Sequence, residues 1–146
     1  MKRGGMIFPA LALTMALAAL GPALSAVPKP RGTGAGLYTD LQAGEGARVY
    51  AVRCAMCHGT GLAGTVETPG LTGKFMANWS GRPLGDLYDY LARAMPQSAP
   101  GTLSAEDNVR LIAFLLKANG APAGASALPG DSAALHRVMF EPARPH

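Results

Sequence analysis

Both cysteines of the chain stand in one five-residue stretch, Cys54-Ala55-Met56-Cys57-His58, and nothing else in the sequence restricts the fold as much. Two cysteines cannot build a disulfide framework. A structural zinc site needs four ligands, which this stretch does not hold. A thioredoxin-type redox pair needs a βαβ setting, and no part of the chain shows sustained strand alternation. A local disulfide would suit an oxidising compartment, but it leaves His58 without a task. The spacing C-x-x-C-H matches covalent haem attachment. Two thiols near a helix end can add to the two vinyl groups of one haem edge as thioethers. The adjacent imidazole then swings under the ring and ligates iron. Cys54 and Cys57 are thereby read as cofactor-binding residues, His58 as a metal ligand, and one haem c as the cofactor.

Composition agrees with a small domain built around such a group. A chain of 146 residues suits one domain, and its 49% hydrophobic content excludes a wholly disordered polymer. Aromatic residues are only 6%, few for a core of this size. Small chains with thin cores recruit a disulfide set, a metal or a cofactor to fill the centre. Gly (19) and Pro (12) are frequent, so long loops should interrupt the ordered parts. The formal charge of +4 is modest and its basic residues are scattered singly, which gives nucleic-acid binding no support.

The first residues have the layout of an export signal. Lys2 and Arg3 are followed by an apolar run from Met6 to Leu20, a Gly21-Pro22 break, and the small residues Ala23, Ser25 and Ala26. Residues 1–26 are therefore expected to be a signal peptide, cleaved after Ser25 or Ala26, with the mature protein soluble in a periplasm. A membrane association is expected only if this segment is kept as an anchor.

Residues 27–43 read as a Pro/Gly-rich linker, residues 44–120 as the folded domain, and residues 121–146 as a loosely ordered tail. Within the domain three helices are expected. The first runs from about Gly44 to Cys54, with Ala47, Tyr50, Ala51 and Cys54 on one stripe. The second runs from Pro83 to Met95, with Leu84, Leu87, Tyr88, Leu91 and Met95 as its stripe. The third runs from Ala105 to about Asn119; Ser104-Ala-Glu-Asp107 resembles a capping box, and Gly120 and Pro122 stop it. Between the first two lies Gly59 to Arg82, a loop so long that it should wrap something.

The sixth iron position must come from Met76, Met95, Met139, His136 or His146, or stay open. Met95 is the best placed. It ends the apolar stripe of the second helix, and Pro96 forces the chain out of helix there. Gln97 to Thr102, with Pro100-Gly101, then forms a stiff loop able to hold the thioether. Met76 and Met139 read as core filler, and His136 and His146 as solvated surface.

These features resemble the class I monohaem c-type cytochromes. The resemblance covers about Gly44 to Asn119. In that family a glycine stands eight residues before the first haem cysteine and an aromatic four before it, here Gly46 and Tyr50. Their partner is a Leu-Ile-Ala-aromatic-Leu run on the C-terminal helix, here Leu111-Ile112-Ala113-Phe114-Leu115. The resemblance implies an all-α, cytochrome c-like fold in which the N- and C-terminal helices cross at Gly46. It implies that the carbonyl of Pro69 accepts the His58 imidazole N–H; Trp79 either reaches a haem propionate, as a tryptophan does in many relatives, or is an ordinary core tryptophan. The stretch from Trp79 to Leu91, followed by Ala94-Met95-Pro96, is similar to small cytochromes that accompany bacterial quinoprotein dehydrogenases. The ring of lysines found in mitochondrial relatives is missing, since only Lys29, Lys74 and Lys117 follow the signal.

A His/Met pair fills both axial sites and raises the reduction potential. The expectation is a periplasmic electron-transfer protein, itself no enzyme, with a dehydrogenase as donor and a terminal oxidase or another cytochrome as acceptor. The other expectation is a haem-based ligand-binding or sensor protein whose sixth ligand is displaceable or absent. A third is a subunit bound permanently to a dehydrogenase, with Leu135, Val138, Met139 and Phe140 as its docking segment.

Overall fold

A computed structural model describes residues 31–141 together with Met1. The expected signal, the start of the linker, and His146 lie outside the described residues. In chain order these form β1 (Arg31–Gly32), a 3-10 turn (Thr33–Ala35), α1 (Asp40–Arg53), α2 (Ala55–His58), α3 (Lys74–Trp79), α4 (Leu84–Ala94), α5 (Ala105–Ala118), α6 (Ser132–Leu135) and β2 (Val138–Met139). The fold is all-α, and among the described residues strand is confined to the two-residue pair β1–β2.

Helix α1 begins at Asp40, four residues before the expected Gly44. Thr39 caps it, its hydroxyl accepting from the Gln42 N–H at 3.1 Å, and Asp40 sits favourably against the helix dipole. Its buried face is Gln42, Ala43, Gly46 and Tyr50, and Ala51 of the expected stripe faces solvent. Gln42 misleads a hydropathy reading because it is polar and buried. Its amide donates to the Leu128 carbonyl at 3.0 Å and accepts from the Leu128 N–H at 2.9 Å, so its burial leaves nothing unpaired.

The crossing of α1 and α5 rests on Gly46. A Cβ there would collide with the carbonyl oxygen of Arg110 and lie 2.9 Å from Phe114 Cβ. Tyr50 and Phe114 fill the space beside it, ring centroids 5.1 Å apart. Arg110 ties the crossing from outside through Glu45 at 3.0 Å. Helix α5 starts where the sequence indicates, with the Ser104 hydroxyl accepting from the Asp107 N–H at 3.0 Å. It stops before Gly120, whose φ of +82° is open to glycine at little cost.

Two expectations are corrected. The segment 59–82 is not one loop, because Lys74–Trp79 forms α3 and buries Met76. The segment read as a loosely ordered tail is packed through residue 140: Leu128, Leu135 and Phe140 belong to the main core. The described part of the linker is packed with it. β2 pairs in parallel with β1, and the Tyr38 hydroxyl donates to the Ala121 carbonyl at 2.5 Å. Thr33 Oγ1 donates to the Glu141 carbonyl at 2.9 Å and accepts its N–H at 3.0 Å. Phe140 also pairs with the turn before α4, its N–H reaching the Arg82 carbonyl at 2.8 Å. Leu135, Val138 and Phe140, offered above as a docking segment, are therefore used internally. Among the described residues no helix is long and apolar enough to cross a membrane.

Candidate cofactor site

The Cys54-to-His58 stretch sits where α1 ends. Cys54 is the C-cap of α1, its N–H bonded to the Tyr50 carbonyl at 2.9 Å. The single turn α2 then carries Cys57 and His58, closed by the His58 N–H on the Cys54 carbonyl at 3.0 Å. Gly59 follows with φ +76°, turning the chain away. Both thiols are free; Cys54 is half-buried and Cys57 exposed. Burial pushes the Cys54 thiol above its ordinary value, against a smaller pull from the Arg53 guanidinium, and the neighbouring Cys57 adds to the rise.

His58 is oriented from the following loop. Its Nδ1 lies 2.9 Å from the Pro69 carbonyl oxygen, so the N–H donates there and Nε2 is left as the nitrogen able to ligate. The loop is folded tightly to do this. The Gly64 N–H reaches the His58 carbonyl at 2.9 Å, and the Leu71 N–H the Leu62 carbonyl at 2.8 Å. Gly64 has φ +73°, and a Cβ on it would fall 2.6 Å from the Pro69 carbonyl carbon. The Tyr50 hydroxyl fastens the loop's start by donating to the Gly59 carbonyl at 2.5 Å.

These residues open onto a cavity of about 380 Å³, within the range of ligand sites. Cys54, Cys57, His58 and Met95 all line it. Its apolar walls come from Phe75, Leu87, Leu91, Leu103, Leu111 and Leu115, and Arg53, Glu67 and Arg82 add charge. Met95 is the C-cap of α4, its N–H on the Leu91 carbonyl at 3.1 Å, and Pro96 follows it out of the helix. Two thiols, an imidazole and a thioether on one apolar cavity form a donor set that fits haem c. Among the described residues no cluster of His, Cys, Asp and Glu forms another metal site.

The remaining sixth-ligand candidates lie elsewhere. Met76 is buried in the core, and Met139 is half-buried in β2. His136 is exposed, as expected, and is also tied to α4: its Nε2 lies 2.9 Å from Asp89 and its Nδ1 3.5 Å from Asp86. None of the three lines the cavity.

Trp79 also lines the cavity, at the end of α3, with the Arg82 guanidinium 4.7 Å over its ring. No helix was expected at α3, nor were Phe75 on it and Arg82 in the turn after it expected as wall residues. The spacing of Phe75, Met76 and Trp79 was the available signal, masked by the glycines before it.

A family model described as "Cytochrome C oxidase, cbb3-type, subunit III" matches residues 41–115, just over half of the chain. That span contains the Cys54-to-His58 stretch and Met95, and ends before the packed C-terminal segment. Among solved structures the chain is similar to the sulfane dehydrogenase SoxCD from Paracoccus pantotrophus. The identity is 25% over 89% of this chain and 67% of that one, with a TM-score of 0.49. No curated protein matches the chain.

Proposed function

The chain belongs to the c-type cytochrome family described as cytochrome c oxidase, cbb3-type, subunit III, and from that premise we propose that it is a periplasmic carrier of single electrons. A cytochrome c domain implies haem c and electron transfer. The finer reading is that Cys54 and Cys57 attach one haem covalently, and that His58 and Met95 are its axial ligands. It is carried by the convergence of these four side chains on one apolar cavity.

Haem c held by these residues would supply one-electron exchange, with His58 and Met95 as the side chains that would hold its iron. The chain's own residues prepare that state. The Pro69 carbonyl fixes the His58 tautomer and makes the imidazole a better donor. Leu87, Leu91, Leu111 and Leu115 keep water from the cavity, which lowers the local dielectric. Pro96 ends α4 at Met95 and leaves the thioether on a turn rather than inside the helix.

The partners in this reading are redox proteins. A dehydrogenase supplies the electron, in keeping with the likeness of the Trp79-to-Pro96 stretch to cytochromes of quinoprotein dehydrogenases. A terminal oxidase or another cytochrome accepts it, in keeping with the family's description. The protein itself catalyses no reaction. The Lys2-to-Ala26 pattern supports export to the periplasm and release from the membrane after cleavage.

Redox-titrated optical spectra with and without carbon monoxide test the ligand set. The wild-type ferric protein is expected to show a weak sulfur-to-iron charge-transfer band, and the ferrous protein to resist carbon monoxide. Met95→Ala should abolish the band, lower the potential and admit carbon monoxide. A wild-type ferrous protein that binds carbon monoxide readily would favour the sensor reading instead.

A further inference from the structure

Helix α4, which ends at Met95, is held largely by a part of the chain beyond the family-matched residues. One of its faces meets α5, and another meets the segment 131–140. Leu84 and Leu87 of α4 share a core with Leu135 and Phe140, each of the four no more than 1% exposed. The entry to α4 is pinned as well: the Gly81 N–H donates to the Phe140 carbonyl at 2.9 Å, and the Phe140 N–H donates to the Arg82 carbonyl at 2.8 Å.

The outer face carries a polar clamp. His136 Nε2 lies 2.9 Å from Asp89 Oδ2, and its Nδ1 lies 3.5 Å from Asp86 Oδ1. The Ser132 hydroxyl donates to the other Asp89 oxygen at 2.8 Å. Arg82 occupies Asp86 Oδ2 at 2.9 Å, and Arg93 stands near enough to Asp89 to stabilise its charge. The imidazole is seated on the helix backbone itself. A Cβ on Gly85 would fall 2.5 Å from His136 Cγ and 2.7 Å from Nδ1. Glycine is unfavourable inside a helix, and this seat accounts for it.

We propose that residues 131–140 form a strap that positions the Met95 thioether. His136 is its positioning residue, seated in the notch at Gly85, hydrogen-bonded to Asp89 and 3.5 Å from Asp86. The proposal rests on the reading of Met95 as the sixth ligand. A single thioether at the end of a helix competes with external ligands according to how often it is in place. The apparent affinity for an external ligand scales with the fraction of molecules in which the position is open. Holding α4 at its entry and along its outer face keeps that fraction small. The strap reaches the site through α4 and also through one cavity wall, since the Phe140 ring stands edge-on to Phe75 with centroids 6.3 Å apart.

Optical titration of the ferric haem protein with imidazole, together with the reduction potential, tests this. His136→Ala is expected to bind imidazole roughly fivefold or more tightly than wild type, with a weaker sulfur-to-iron band and a lower potential. His136→Gln, whose amide can still donate to Asp89, should return wild-type behaviour. Gly85→Ala should shift in the direction of His136→Ala, although alanine favours helix. In Met95→Ala the further change His136→Ala should add nothing. If His136→Ala and Gly85→Ala keep wild-type imidazole affinity while Met95→Ala tightens it, the strap is overturned and the ligand reading stands. If Met95→Ala itself changes neither spectrum nor affinity, the ligand reading fails and the strap falls with it.

Discussion

The Nδ1 of His58 and the carbonyl oxygen of Pro69 lie 2.9 Å apart, bridging 11 residues of chain. The contact depends on Gly64, which turns the loop with φ +73° where a side chain would meet the Thr68 and Pro69 backbone. Gly64→Ala should therefore cost about 1–3 kcal/mol through backbone strain and overpacking. Denaturant unfolding of the haem-loaded protein measures this. An unchanged midpoint would mean that the loop can carry Pro69 by another route.

The α1–α5 crossing makes a parallel demand at Gly46, where any Cβ would meet the Arg110 carbonyl. Gly46→Val is expected to destabilise by about 1–3 kcal/mol, because the two backbones must separate and loosen the Tyr50–Phe114 packing. Thermal midpoints of the two proteins decide it. Equal values would remove the close approach as the basis of the crossing.

Covalent attachment should run through the Cys54 and Cys57 thiols. Wild-type protein is expected to retain haem through denaturing electrophoresis, whereas the double variant Cys54→Ala, Cys57→Ala should lose all haem stain. Haem extracted from wild type by acidified acetone would contradict thioether linkage.

The strap should respond to acid through Asp89. Its hydrogen bond from Ser132, then that from His136, hold this carboxyl below the usual carboxylate range. A carboxylate lowered on folding contributes stability above its unfolded value, and that contribution is lost as pH falls through the folded value. Wild type should thus exceed Asp89→Asn in thermal midpoint at pH 7, with the gap closing below about pH 4. A gap that stays constant from pH 7 to pH 3 would show that the carboxylate charge adds nothing to the docking of α6.

Much of the site was legible because its signals are local. Met95 stands beside Pro96 at the end of an apolar stripe, and α5 has its cap at Ser104 and its stop at Gly120. Helix α1 was harder. Its true face includes a buried glutamine, and hydropathy assigns such a residue to solvent. His136 lies at the surface, as the sequence indicates, but its tie to Asp89, 47 residues away, is made by the fold.

What the sequence determined by itself was the spacing of the donor groups. Cys54, Cys57 and His58 are close neighbours in the chain, so thiol spacing and adjacent imidazole are set before any folding. What only the tertiary structure decided was the fate of the flanks. Gln42 is buried because it pairs with Leu128, 86 residues away, and Thr33 is fixed by Glu141, 108 residues away. A polar group or a Pro/Gly-rich segment enters a core only when its hydrogen-bond partners are already there, and partners so distant in the chain are brought into reach by the fold alone.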